Sequence, residues 1–353
     1  MGEEPENLRV ALIGFGLAGS AFHAPLIAAV PGLELAAIVT RDEQRRERAA
    51  SLYPDALLLK AADEVWADAD RFDLAVIASP NRFHVPLASA ALEAGLAAVV
   101  DKPLASSARE GRELVELAQR GPPLIPFHNR RWDGDFLTLR RLVEAGELGE
   151  VLRFESRFER WRPQVAAGWR ELPEPEEAGG VLYDLGSHLV DQALQLFGAA
   201  RSVYAELDQR RPAARVTDDA FVALTHESGV RSHLWMSAIA AQPGPRFRVL
   251  GGKSAYVKWG LDVQEDALRA GRTPDQPGWG REEPERWGQL GVEGETRPVQ
   301  TEPGAYQRFY EGVVAAIRTG APPPVMTEEA VEGLEVLDAA RASARQGTLV
   351  ELT

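Results

Sequence analysis

The chain has 353 residues, 45% of them hydrophobic, enough to bury a full core and more than a single domain usually holds. Its formal net charge of −14 excludes the broad basic surface needed to bind a nucleic-acid backbone or an anionic membrane. The absence of cysteine removes disulfides, thiolate nucleophiles and cysteine-ligated zinc together.

The opening "MGEEPENLRV" is acidic and polar where a signal peptide would be basic and then apolar. No apolar run reaches the about 18 residues of a membrane span, so a cytoplasmic location is expected. From Leu8 to about Ile125, short apolar runs alternate with amphipathic stretches: "RVALIGFG", "ELAAIVT", "LAVIAS", "LAAVVDKP" and "PPLIPFHN". This pattern predicts β-α-β units in a parallel sheet, with one helix stopping at Gly95. After Asn129 a helical "FLTLRRLVEAGEL" precedes "VLRFESRFERW", whose alternation reads as a half-exposed strand. Further β-rich runs follow at "RSVYAEL", "DDAFVALTHE", "VRSHLWMSAI" and "RFRVLGGKSAYVKWG". The expected architecture is therefore α/β, with a dinucleotide-binding domain over residues 1–125. A second domain over residues 126–353 is expected to be α+β, with a large, mainly antiparallel sheet. Residues 262–304, rich in Gly, Pro and charge and carrying Trp279 and Trp287, read as a long loop, either functional, covering the site or joining subunits, or poorly ordered. Two helices close the chain, the second with Thr327 as N-cap and Gly347 as its stop.

The first strand runs into G-x-G-x-x-G: Gly14-Phe15-Gly16-Leu17-Ala18-Gly19. In that motif the first glycine makes a tight turn, the second lets backbone approach a pyrophosphate, and the third lets helix and strand pack closely. The phosphates would meet free N–H groups at the helix N-terminus. Roughly 20 residues on, where an acid commonly holds the ribose of NAD, stand Thr40 and Arg41. A guanidinium suits a 2′-phosphate, so NADP is favoured, with NAD open through Asp42. The alternative is that Arg41 begins the solvated face "RDEQRRER".

Lys102, in "VVDKPLA", stands at the carboxyl end of a buried parallel strand, where ligands sit in open α/β sheets. There its ammonium can polarise a hydroxyl or carbonyl oxygen; a surface lysine before a loop proline is the plainer reading. In "GGVLYDLGSHLVDQALQLFG", a helix from about Asp184 to Gly198 would set Asp184, His188 and Asp191 on one face. A histidine between two carboxylates can be oriented by one and exchange a proton with substrate. Structural pairing and a metal site formed with His128 are the competing readings. In "FHNRRWD", His128, Asn129 and Arg130 are candidates for binding phosphate or a polyhydroxylated substrate, or form a charged hinge. In "SPNRFH", Ser79, Pro80, Asn81 and His84 follow another strand end. They would line the far side of the cofactor or make an ordinary capped turn.

Taken together, "GFGLAG", "SPNRFH", "DKP" and "YDLGSHLVD" resemble the Gfo/Idh/MocA oxidoreductase family in order and spacing, over nearly the whole chain. The family's usual E-K-P is here Asp101-Lys102-Pro103. Within it, "FHNRRWDGDFLTL", "GWRE" and "YVKWGLDVQEDALRAG" resemble bacterial NADP-dependent scyllo-inositol dehydrogenases. The resemblance implies a Rossmann domain joined to an α/β domain whose open sheet makes a homodimer or homotetramer. It also implies Lys102, Asp184 and His188 as catalytic residues and Trp169 and Arg170 at the cofactor. The implied reaction is hydride transfer between a nicotinamide and a ring carbinol of a cyclic polyol or sugar, with no metal. A close alternative is a sugar or dihydrodiol dehydrogenase; a more distant one is a non-catalytic dinucleotide sensor.

Overall fold

The computed structural model describes residues 6–119 and 121–352. Six short strands, β1 (Leu8–Ile13), β2 (Leu33–Val39), β3 (Leu57–Leu59), β4 (Leu74–Ile77), β5 (Ala97–Asp101) and β6 (Leu124–Phe127), form an all-parallel sheet. Their order is β3-β2-β1-β4-β5-β6. Both faces are dry: Ala11, Ile13, Ala75 and Ile77 enter one core, and Val10, Leu12, Leu74 and Val76 the other. This is why these strands read as continuous apolar runs. The order reverses between β1 and β4, so the connections leaving their carboxyl ends run to opposite sides of the sheet and leave the crevice in which such sheets bind ligands.

A nine-stranded sheet follows, built from β7 (Val151–Glu159), β8 (Ala200–Asp208), β9 (Asp219–His226), β10 (Arg231–Ser237), β11 (Phe247–Gly251), β12 (Ala255–Lys258), β13 (Gly288–Val292), β14 (Glu295–Val299) and β15 (Val350–Glu351). Its order is β14-β13-β12-β11-β7-β10-β9-β8-β15, and only β7 and β10 run parallel to each other. Helices Gly186–Phe197 and Thr327–Gln346 cover one face. On the other, Phe221, His233 and Trp235 pack together half-exposed, with the Arg157 guanidinium 3.9 Å over the Trp235 ring.

Three local expectations need correction. Residues 262–304 are not one loop. They contain a helix, Gln264–Arg269, and the hairpin β13–β14, whose few apolar side chains, Leu290 and Val299, suffice to extend the sheet edge. Trp279, carried by that stretch, is buried in the core of the first sheet. Thr327 is the first helical residue and Met326 the cap, because the Thr327 hydroxyl donates instead to the Leu124 carbonyl at 2.6 Å. The last 50 residues are divided between the two sheets. Tyr306, Phe309, Tyr310 and Val313, one face of helix Gln307–Thr319, share a core with β1 and Phe127.

Candidate active site

At the crevice, Gly14 adopts φ +103°, and a Cβ there would collide with the Ala78 carbonyl. A Cβ on Gly19 would strike the Gly14 carbonyl, so these two glycines let β1, β4 and the following helix close on one another. Gly16 differs, because its imagined Cβ meets nothing nearer than the Arg45 guanidinium at 3.7 Å. Packing does not require a glycine there. The open space above it fits a group brought close to backbone, which is the test a pyrophosphate must pass. Leu17 and Ala18 carry the turn into the cleft wall; Phe15 is buried in the core.

After β2, Thr40 is buried, and the exposed Arg41 donates to the Lys60 carbonyl at 3.3 Å. The Asp42 carboxylate accepts the Arg45 N–H at 2.9 Å and so caps helix Glu43–Leu52. That cap brings Arg45 back over the glycine turn, a placement that sequence reasoning did not find.

The cleft encloses about 200 Å³ and lies between the two sheets. Lys102, at the end of β5, donates to the Asp184 carbonyl at 2.6 Å and to its carboxylate at 2.9 Å. Arg170 donates to the same carboxylate oxygen at 3.2 Å. Burial alone would raise the Asp184 carboxyl, but the Lys102 and Arg170 charges outweigh it and hold the group ionised, well below the usual range. The expected helix is also shorter. It starts at Gly186 rather than at Asp184, which instead ends a separate short helix, Val181–Asp184, where its carbonyl takes the ammonium.

His188 therefore does not lie between two carboxylates. Asp184 serves Lys102 and Arg170, while Asp191 is held by Arg131, with Nη2 to Oδ1 at 2.6 Å. Its ring lies at the cleft with a buried Nδ1 that has no hydrogen-bond partner among the described residues. Burial, reinforced by the Lys102 and Arg130 charges, lowers its pKa well below the ordinary histidine value and keeps the imidazole neutral. The neutral ring lines the cleft near the Lys102 ammonium, and a neutral imidazole is able to accept a proton.

"FHNRRWD" divides in function. Asn129 and Arg130 line the cleft, and Arg130 reaches Glu265 at 2.5 Å. His128 is buried behind them, with Nδ1 3.8 Å from Asp191. Arg131 does not line the cleft and is clamped by Asp191 and by Glu329 at 2.7 Å. In the following turn, Asn81 donates to the Glu177 carbonyl at 2.9 Å, tying the two domains together. His84 contacts the Pro103 and Ser79 carbonyls at 2.8 and 3.0 Å, bracing the loop that carries Lys102. Ser79 and Pro80 are half-buried at the end of β4. Trp169 lies under the Arg170 guanidinium, 4.3 Å from its centroid. The Asp184 carboxylate turns towards cations, which removes the metal set imagined with His128.

Phe158, Arg160, Arg162, Glu265 and Arg269 also line the cleft, and none of them belongs to a motif evident in the sequence. The first three continue the inward parity of β7 in steps of two, and that alternation could have identified them.

A family model described as "Oxidoreductase family, NAD-binding Rossmann fold" matches residues 8–123. Another, "Oxidoreductase family, C-terminal alpha/beta domain", matches residues 140–352. The chain is 35% identical to the scyllo-inositol 2-dehydrogenase (NADP(+)) IolW of Bacillus subtilis, over 98% of this chain and 96% of that protein. It is 42% identical to the uncharacterized oxidoreductase YdgJ of Escherichia coli, over 96% and 97%. The solved structure of the oxidoreductase YvaA from Bacillus subtilis superposes with a TM-score of 0.93 at 33% identity, covering 99% of this chain and 100% of that one.

Proposed function

The chain belongs to the Gfo/Idh/MocA oxidoreductase family, and on that premise we propose that it is an NADP-preferring dehydrogenase acting on a ring carbinol of a cyclic polyol or sugar. The first substrate pair to assay is scyllo-inositol and its inosose. The observation that carries this reading is the Lys102–Asp184 ion pair beside a neutral, inward-facing His188, at the end of a parallel strand next to the glycine turn.

When bound, the nicotinamide supplies the hydride acceptor or donor. This chain's part is to manage the oxygen and its proton. Oxidation of a carbinol removes a hydroxyl proton as well as a hydride, and the neutral His188 ring that lines the cleft is placed to take that proton. Lys102, fixed by two bonds to Asp184, holds its ammonium towards the same oxygen and stabilises the charge that develops there. Asp184 thus positions Lys102 rather than His188. Leu17, Ala18, Phe22 and Phe127 supply an apolar wall against water. Arg41 and Arg45 are the residues for a 2′-phosphate, and the engagement of Asp42 in its helix cap favours NADP over NAD. The half-exposed face around Phe221 and Trp235 supports assembly as a homodimer or homotetramer through the open sheet.

The test is turnover by the purified protein with each cofactor across scyllo-inositol, other inositols, aldoses and dihydrodiols. A sensor would bind the dinucleotide and convert none of them, and that outcome would overturn the reading.

A further inference from the structure

The charge lining the cleft is opposite in sign to the charge of the whole chain. Lys102, Arg130, Arg160, Arg162, Arg170 and Arg269 face it, against Asp101, Asp184 and Glu265. Two of these carboxylates are already each shared by two cations. Asp184 takes Lys102 and Arg170; Glu265 takes Arg130 at 2.5 Å and Arg269 at 2.8 Å. Asp101 accepts the backbone N–H of Lys102 at 2.9 Å. Arg160 and Arg162 are left over, and among the described residues neither side chain makes an ion pair.

The two arginines are not on a loose loop. The Arg160 and Arg162 N–H groups donate to the Ser237 and Ala238 carbonyls at 2.8 and 2.7 Å, and the Ala240 N–H donates to the Arg160 carbonyl at 3.0 Å. Trp161, between them, points the other way and is 58% exposed. Arg160 lies over the Phe158 ring, 4.7 Å from its centroid, and the Arg130 guanidinium stands at the same distance from that ring. Burial, with the nearby Arg162 charge acting in the same direction, lowers the Arg160 pKa despite Asp184 and Glu265 close by. Arg160 is partly desolvated with the like charge of the exposed Arg162 two residues away, and a bound anion would offset that cost. Beside them a side lobe of about 80 Å³ opens, lined by Arg160, Arg162, Arg170, Thr217 and Ser237. Its two carboxylates are already engaged, Asp184 by Lys102 and Arg170 and Glu171 by Arg211 at 2.9 Å. Guanidinium groups with hydroxyls at hand suit a planar or tetrahedral oxyanion. The dinucleotide's own phosphates belong at the glycine turn, on the other wall.

We propose that this lobe binds an anionic substituent of the substrate, a carboxylate or a phosphate, so that the preferred substrate is an acidic sugar or a phosphorylated cyclic polyol rather than a neutral ring. This rests on the dehydrogenase reading for the position of the ring carbinol, not for the existence of the anion site.

The experiment compares kcat/KM for a neutral inositol, a hexuronate and an inositol monophosphate with the NADP-loaded enzyme, with the affinity of each measured by calorimetry in parallel. The hexuronate arm reads a carboxylate and the monophosphate arm a phosphate. One anion is expected to exceed the neutral ring by about tenfold or more, with a KM that rises with salt. In Arg162→Gln and Arg160→Gln that ratio should fall towards one, and in Arg160→Lys it should be partly kept. Cofactor affinity on the same samples reports folding, and the exposed Arg162 guards against loss of fold at Arg160. Anion binding without turnover of any ring would keep the subsite and remove the reaction. Turnover of the neutral ring equal to or better than both anions, or equal losses for neutral and anionic rings in the arginine variants, would remove the subsite and keep the reaction. Neither binding nor turnover of any ring would overturn both.

Discussion

The two walls of the cleft are built by different physics. The glycine wall is steric: Gly14 and Gly19 exist because backbone from β4 and the turn itself leaves no room for a Cβ, and Gly16 because the space above it is open. The opposite wall is electrostatic, assembled from side chains brought from β5, β7 and helices around residues 184–188 and 264–269. A steric wall tolerates any ligand of the right shape, whereas an electrostatic wall selects for charge and protonation state. The first therefore speaks for a dinucleotide in general and the second for one kind of reaction and substrate.

The sharpest way to break this division is to disable the second wall alone. His188→Ala and Lys102→Ala are each expected to lower kcat by about 10²–10⁴-fold, the usual contribution of an acid–base group. The double variant should fall short of the product, because both act on one oxygen. NADPH affinity, measured by fluorescence titration, should survive His188→Ala. Near-normal turnover by a folded His188→Ala protein would return this histidine to a packing role.

The glycine wall can be divided against itself. Gly19→Ala pushes a methyl into the Gly14 carbonyl and should cost up to about 3 kcal/mol of stability, seen as a lower Tm. Gly16→Ala should leave Tm nearly unchanged and weaken cofactor binding instead. If both variants lose stability equally, the open space above Gly16 has no bearing on a ligand.

A pH experiment compares the histidines behind the two walls. Burial pushes His23, beside Tyr310 under the glycine helix, down to about 4, and it also lowers His84, His128 and His188. With native pKa values below the ordinary 6.5, the unfolded chain binds more protons between those limits. Stability must therefore fall as pH drops from about 6.5 towards 4, by roughly 2–3 kcal/mol from His23 alone. Urea unfolding of wild type and His23→Gln at pH 7 and pH 5 checks this; an unchanged pH slope in the variant would contradict it.

The smallest expected effect concerns cofactor choice. Arg41→Ala and Arg45→Ala should each weaken NADPH by about 1–3 kcal/mol and affect NADH little. Equal losses for both cofactors would remove the 2′-phosphate assignment.

What the sequence made legible follows the same division. Strands buried on both faces and the glycine spacing are local signals, and β1, β2, β4, β5 and β6 all lie where apolar runs predicted them. Lys102 was readable because its strand end is a fixed place in a parallel sheet. Leu57–Leu59 was missed, since three residues are too few to show a period. The helix start at Gly186 rather than at Asp184 was illegible, since the partner that Asp184 takes there is an ammonium from 82 residues away. Glu265 and Arg269 were hidden in a stretch whose glycines and prolines outweighed a short helix. Arg160 was visible in "RFERWR" only to a reading that carried the alternation of β7 past its end.

Transfer of an isotopic label is the most direct test of the central claim. Scyllo-inositol and its acidic and phosphorylated relatives, deuterated at the ring carbinols, would be incubated with the protein and NADP⁺, and the reduced cofactor examined by mass spectrometry. The account predicts that deuterium appears on the reduced nicotinamide together with the ring ketone, and that His188→Ala nearly abolishes both. Tight cofactor binding with no deuterium transferred from any of these rings would contradict it.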